Sequence, residues 1–164
     1  MSEVNKQHKK TFEEIFLIKE QFHTPCYHYD WWMFPIGRGK HIVSQSSTAR
    51  RYSITNEETK MLLHDREFME RYIAGIRLYL NAQIQTGWNH YVIRFEKVVW
   101  SLCHFSDAMM GDDEFSAYFI DIWECLLLSD SIARAERLHT AYTRSDSFNM
   151  LSGYIHEHNA SFLS

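Results

Sequence analysis

The chain has 164 residues, enough to bury one good core and short for two. Hydrophobic residues make up 45% and charged residues 23%, an ordinary globular balance that excludes a disordered chain. The formal net charge of -4 argues against a generic binder of nucleic-acid backbones, which gathers excess Lys and Arg.

With 2 Pro and 6 Gly, long helices are permitted, and aromatics at 15% predict an aromatic-rich core. Residues 1–10 are polar and lack the apolar stretch of a secretory signal, so they are expected as a flexible tail to one domain spanning 1–164. Thr11-Phe12-Glu13-Glu14 fits a capping box, followed at helical spacing by Ile15, Phe16 and Lys19, with Phe22 closing the stripe before Thr24-Pro25. From Cys26 to Ser53 the helical period disappears. That stretch carries His28-Tyr29-Asp30-Trp31-Trp32-Met33-Phe34-Pro35, then Gly37 and Gly39, then a polar run from Ser44 to Thr48. Loops of this length inside a small domain are usually functional or disordered, and the dense aromatics favour order here.

Regular structure returns at Thr55-Asn56-Glu57-Glu58, a second capping box. Asp65 caps a further predicted helix with Phe68, Met69, Tyr72, Ile73, Ile76 and Leu80 on one face. After Gly87, a helix from about Asn89 carries Phe95, Val98, Val99, Leu102 and Phe105. Asp112-Asp113 place negative charge where a helix dipole favours it, ahead of the stripe Phe115, Tyr118, Phe119, Ile122, Trp123 and Leu126. Ser129 or Asp130 is expected to cap a shorter helix with Ile132, Ala135, Leu138 and Tyr142. Ser145 or Asp146 starts the last, with Phe148, Leu151, Tyr154 and Ile155. No stretch alternates at period two, so the fold class is all-α, with a long ordered aromatic loop after the first helix.

Cys26, Cys103 and Cys125 are odd in number and widely spaced, which fits free thiols in a reducing cytosol. No apolar run approaches the ~20 residues that cross a bilayer, so a cytoplasmic protein without a membrane partner is expected. Metal and cofactor chemistry is poorly supported. His23, Cys26 and His28 supply three ligands where a structural zinc needs four. Glu20-x-x-His23 and Glu136-x-x-His139 match the ligand spacing of di-iron bundles. Such a site also needs inward glutamates from two other helices, for which Glu96 and Glu124 are the candidates. Gly37-Arg38-Gly39-Lys40 resembles a phosphate loop only superficially, lacking its length, its strand and its terminal hydroxyl.

Two features point to ligand binding instead. Adjacent tryptophans outside a regular helix cannot easily bury both faces in one core, so one is free to line a cleft, although aromatics more often plug a core. Arg50-Arg51-Tyr52 lies just ahead of the Thr55 cap, where guanidinium forks and free N–H groups together favour phosphate or carboxylate; a solvated ion pair is the plainer reading.

The run His28-x-x-Trp31-Trp32-x-Phe34-Pro35, then Ser46-x-x-Ala49-Arg50-Arg51-Tyr52-x-Ile54, resembles a bacterial family of domains of unknown function sometimes labelled calpastatin-like. The register continues through Glu58, Leu63, Phe68 and Arg71, and returns at Lys97-x-x-x-Ser101-x-x-x-Phe105 and near Phe119 and Trp123. The similarity spans Phe12 to Leu128, departing in a longer Pro35–Tyr52 stretch and at Asp65-Arg66, where the family tends to have His-Pro. A weaker similarity is to the conserved region of the opioid growth factor receptor. The first resemblance implies an all-helical protein with no established activity, in which the aromatic segment, the arginine pair and Lys97 share one pattern. On that basis His28, Trp31, Trp32, Arg50, Arg51, Tyr52 and Lys97 are expected to line a pocket for a small anionic or nucleotide-like ligand. Two other readings stay open: a protein-interaction module built on the aromatic loop, and a nucleotide-processing enzyme with His28 as acid or base.

Overall fold

The hydrophobic stripes read from the sequence form the faces of long helices in the computed structural model, which describes residues 2–17, 29–40, 46–86, 92–135 and 146–163. In chain order these are α1 (Glu3–Thr11), a π-helical turn (Phe12–Phe16), α2 (Asp30–Met33), α3 (Ser47–Tyr52), α4 (Asn56–His64), α5 (Arg66–Thr86), α6 (Val92–Met109), a 3-10 turn (Asp113–Phe115), α7 (Ser116–Arg134) and α8 (Asp146–Leu163). The protein is all-α. Among the described residues there is no strand, only one parallel bridge between Gly37 and Ile54.

α7 lies at the centre, packed against α5, α6 and α8, while α4 leans on α5 and α6. Every member of the α5 stripe, from Phe68 to Leu80, is buried, as is the α6 stripe from Phe95 to Phe105. Ile122, Trp123 and Leu126 of α7 enter the same core, and Leu151 joins it from α8. Polar side chains also link the helices. The Tyr72 hydroxyl meets Ser101 Oγ at 2.8 Å, and the Tyr154 hydroxyl meets Asp107 Oδ1 at 2.8 Å.

Two expected caps form. Thr55 Oγ1 accepts from the Glu58 N–H at 3.1 Å, and Asp65 Oδ1 from the Phe68 N–H at 3.0 Å. Thr55→Ala is expected to cost about 1 kcal/mol, read as a shift of the urea midpoint, because one free N–H of α4 loses its acceptor.

Four expectations are corrected. Residues 3–11, expected within a flexible tail, form α1, whose Val4, Asn5 and His8 are buried. Asn5 can be buried because distant groups satisfy it: it donates to Asp65 at 3.0 Å and accepts from Arg71 at 2.6 Å. Thr11 caps nothing, since Ser2 has already capped α1 and the chain runs on into the π turn; its hydroxyl instead accepts from the Trp32 indole at 2.8 Å. Within the stretch expected to be irregular, Asp30–Met33 and Ser47–Tyr52 are helical, the second capped by Ser46. Ser129 does not start a new helix. Its hydroxyl bonds back to the Cys125 carbonyl at 2.7 Å, and α7 continues to Arg134.

Candidate functional site

One helical turn, α2, separates the two tryptophans, because neighbouring positions on a helix point about 100° apart. Trp31 packs toward Ile36 and Ala49, and the Lys97 ammonium sits 4.1 Å above its ring. That ammonium also reaches Asp30 Oδ2 at 3.3 Å, with both side chains largely shielded from water. Trp32 faces the other way, with its ring centroid 4.7 Å from that of Tyr52. Arg51 lies over the Tyr52 ring and pairs with Glu3 at 2.7 Å in the open. Arg50 is exposed.

The predicted set is therefore divided. Trp31 and Lys97 form one group, Trp32, Tyr52 and Arg51 another, and both cations are already matched by carboxylates. None of these residues lines the grooves described next. His28 lies outside the described residues, as do Cys26, Glu20, His23, Glu136, His139 and residues 41–45, which include the start of the polar run.

A groove of about 470 Å³ opens instead between the segment after α2, the start of α4 and the end of α6. The bridge builds one wall: the Arg38 N–H donates to the Ile54 carbonyl at 2.8 Å, and the Ile54 N–H to the Ile36 carbonyl at 3.0 Å. Gly39 has φ of +93° in the turn that closes from Lys40 back to Gly37, a conformation L side chains resist. This turn carries Arg38 and Lys40 to the groove, α4 brings Thr59 and Lys60, and α6 brings His104 and Asp107. All three cations are exposed, and among the described residues none pairs with a carboxylate. Among the described residues the Arg38 guanidinium makes one long contact, 3.4 Å, to the Ser53 carbonyl.

His104 is held in place. Its Nε2 is 2.9 Å from Thr59 Oγ1, and its ring lies so close to Gly37 that a Cβ there would come within 2.7 Å. Burial, and then the nearby Lys40, hold its pKa below the ordinary imidazole value, against the pull of Asp107. The groove thus sets exposed cations around an imidazole whose pKa is held below the ordinary value.

A larger groove of about 820 Å³ runs between α5 and α7, lined partly by Ile73, Leu78 and Tyr118. Its cations are neutralised, Arg66 by Glu70 at 2.9 Å and Arg77 by Asp121 and Glu124 at 2.9 and 3.0 Å. The two described thiols, Cys103 and Cys125, are both buried. Burial raises the pKa of Cys103 and pushes that of Cys125 up to about 11. Among the described residues no three His, Cys, Asp or Glu side chains gather as metal ligands, and no helix is long and apolar enough to cross a membrane.

Of the groove residues, the sequence marked only Gly37 to Lys40, as a weak phosphate-loop likeness. Lys60 and His104 carry no local signal, since they meet through the packing of α4 on α6. No family model matches the chain, and no curated protein or solved structure is significantly similar to it.

Proposed function

We propose that the protein binds a small anionic ligand, phosphate-bearing or nucleotide-like, in the groove between the Gly37–Lys40 turn, α4 and α6. The observation that carries this reading is the convergence of Arg38, Lys40 and Lys60 on one cavity without a carboxylate partner among the described residues. In the other grooves the arginines are spent on ion pairs, Arg66 with Glu70, Arg77 with Asp121 and Glu124, and Arg134 with Asp130. A guanidinium and two ammonium groups can follow an anion as it enters, and charge-assisted hydrogen bonds are the stronger kind. Asp107 is the one carboxylate in the lining, and the Tyr154 hydroxyl is bonded to it.

Calorimetric titration with inorganic phosphate and adenosine monophosphate at low ionic strength tests the reading. Wild type is expected to bind at least one of them, and Lys40→Ala/Lys60→Ala to bind it at least about tenfold more weakly, the equivalent of one charge-assisted contact. Arg51→Ala is expected to bind as wild type does, because Arg51 is committed to Glu3. Absence of binding to wild type, or loss of binding in Arg51→Ala with none in the double lysine variant, would overturn this assignment.

A further inference from the structure

The hydrogen bonds around Thr59 determine which nitrogen of His104 carries its proton. Thr59 Oγ1 lies 2.8 Å from the Thr55 carbonyl oxygen and 2.9 Å from His104 Nε2. The hydroxyl has a single proton, and the carbonyl has none to offer. Were the hydroxyl turned toward the imidazole, two sets of oxygen lone pairs would face each other at 2.8 Å. The proton must lie on the carbonyl side, which leaves Thr59 Oγ1 as an acceptor toward His104. Nε2 is therefore the protonated nitrogen, and in the neutral ring Nδ1 is a bare lone pair.

Nδ1 is also on the side where it can be used. The ring edge formed by Nδ1 and Cε1 lies along Gly37, since a Cβ there would come within 2.7 Å of both atoms. Gly37 and His104 both line the groove, and Nδ1 has no hydrogen-bond partner among the described residues. A side chain at position 37 would collide with this edge; glycine leaves it clear. Asp107 adds a second group that accepts and cannot donate when ionised.

An oxyanion entering this groove meets three donors and, beside them, a lone pair. An oxygen without a proton is repelled by that lone pair, whereas an O–H on the anion turns the same contact into a hydrogen bond. Hydrogenphosphate keeps a proton throughout the neutral range and sulfate keeps none. We infer that the groove takes a proton-bearing oxyanion, hydrogenphosphate, in preference to a proton-free one, with His104 Nδ1 accepting the anion's proton in a hydrogen bond. This deepens the anion-binding reading and rests on it.

The test compares phosphate with sulfate by calorimetry at matched ionic strength and neutral pH, in wild type and His104→Gln. Glutamine keeps an N–H near the place of Nε2 and offers nothing at Nδ1. Wild type is expected to bind phosphate at least about tenfold more tightly than sulfate, and His104→Gln to bind the two within about twofold. If wild type binds both equally, the inference is overturned while the anion groove stands; if it binds neither, the groove reading itself fails. Nitrogen-15 NMR of the wild-type imidazoles supplies a check that needs no variant. A His104 ring protonated on Nδ1 rather than Nε2 at neutral pH would sink the proposal whatever the binding data say.

Discussion

Replacing Lys97 by methionine is expected to lower the unfolding free energy by about 3–5 kcal/mol, the range for breaking one side of a buried ion pair. The Lys97 and Asp30 side chains are only 12% and 7% exposed, and 3.3 Å separates their charged atoms. Methionine fills much of the lysine stem's volume, so the loss falls on the charge rather than on packing. The Asp30 carboxylate would lose its ammonium in a place water barely reaches, and the Trp31 face would lose its cation. Asp30→Asn combined with Lys97→Met removes both charges and is expected to recover most of the loss, a coupling that a double-mutant cycle measures in urea. The contrast is Arg51→Ala. Its pair with Glu3 is 64% and 52% exposed, and the expected cost is at most about 1 kcal/mol. A Lys97→Met cost no larger than that of Arg51→Ala would show that the pair is effectively in water. The lysine that resembled a ligand contact in sequence would then be a surface group rather than the clamp holding α2 to α6.

The helices were legible wherever one face alone decides burial. Phe68 through Leu80 recur at helical spacing over three turns, and no distant residue is needed to see that they face inward. Thr55 and Asp65 were legible because a cap is satisfied within three residues of itself. Several misreadings share one cause, a polar residue whose partner is far away in sequence, whereas Ser129 was misread although its partner, the Cys125 carbonyl, is only four residues back. Asn5 reads as solvated tail because its partners, Asp65 and Arg71, lie some 60 residues on. Thr11 has the composition of a cap, yet Trp32 claims its hydroxyl. Arg51 fits either an anion site or an ion pair by its sequence neighbours, and Glu3, 48 positions away, forms that pair. The candidate groove is harder still. It draws Arg38 and Lys40 from a turn, Lys60 from α4 and His104 from α6, so only the glycine-bracketed turn left a trace in the sequence. A binding site made by tertiary packing has no spacing to read.

His8 should make the protein lose stability as pH falls below about 6.5, the ordinary imidazole pKa, and a His8→Leu variant should lack that component. The ring is fully buried, with its centroid 5.0 Å from that of Phe68, 6.5 Å from Phe12 and 6.4 Å from Tyr72. Neither ring nitrogen makes a hydrogen bond of ordinary geometry among the described residues. Burial first, and then the positive charge of Arg71, hold its pKa well below the ordinary value, with only the Met33 backbone pulling the other way. Among the described residues, the Met33 backbone is the one group that favours the protonated ring. α5 presents Arg71 and two aromatic rings, the π turn presents Phe12, and the acidic Asp65, Glu67 and Glu13 act on Arg71 rather than on His8. Above the ordinary pKa both folded and unfolded chains hold His8 neutral, and nothing changes with pH. Below it the unfolded chain takes the proton first, so stability falls by up to about 1.4 kcal/mol per pH unit until the folded ring also protonates. The gap between the wild-type and His8→Leu profiles should therefore grow as acid is added, by up to about 2 kcal/mol between pH 6.5 and 5. Urea midpoints at each pH measure it. The comparison is needed because His104, also held below the ordinary value, contributes with the same sign in both proteins. At neutral pH the leucine variant is expected to be at least as stable as wild type, since it removes a buried imidazole that makes no ordinary hydrogen bond. Parallel profiles would mean that His8 finds a proton acceptor in the folded chain and titrates there as it does in water. Divergent profiles with early loss of amide protection in α1 would show that protonation undoes the docking of α1 first, ahead of the core built on α5, α6 and α7.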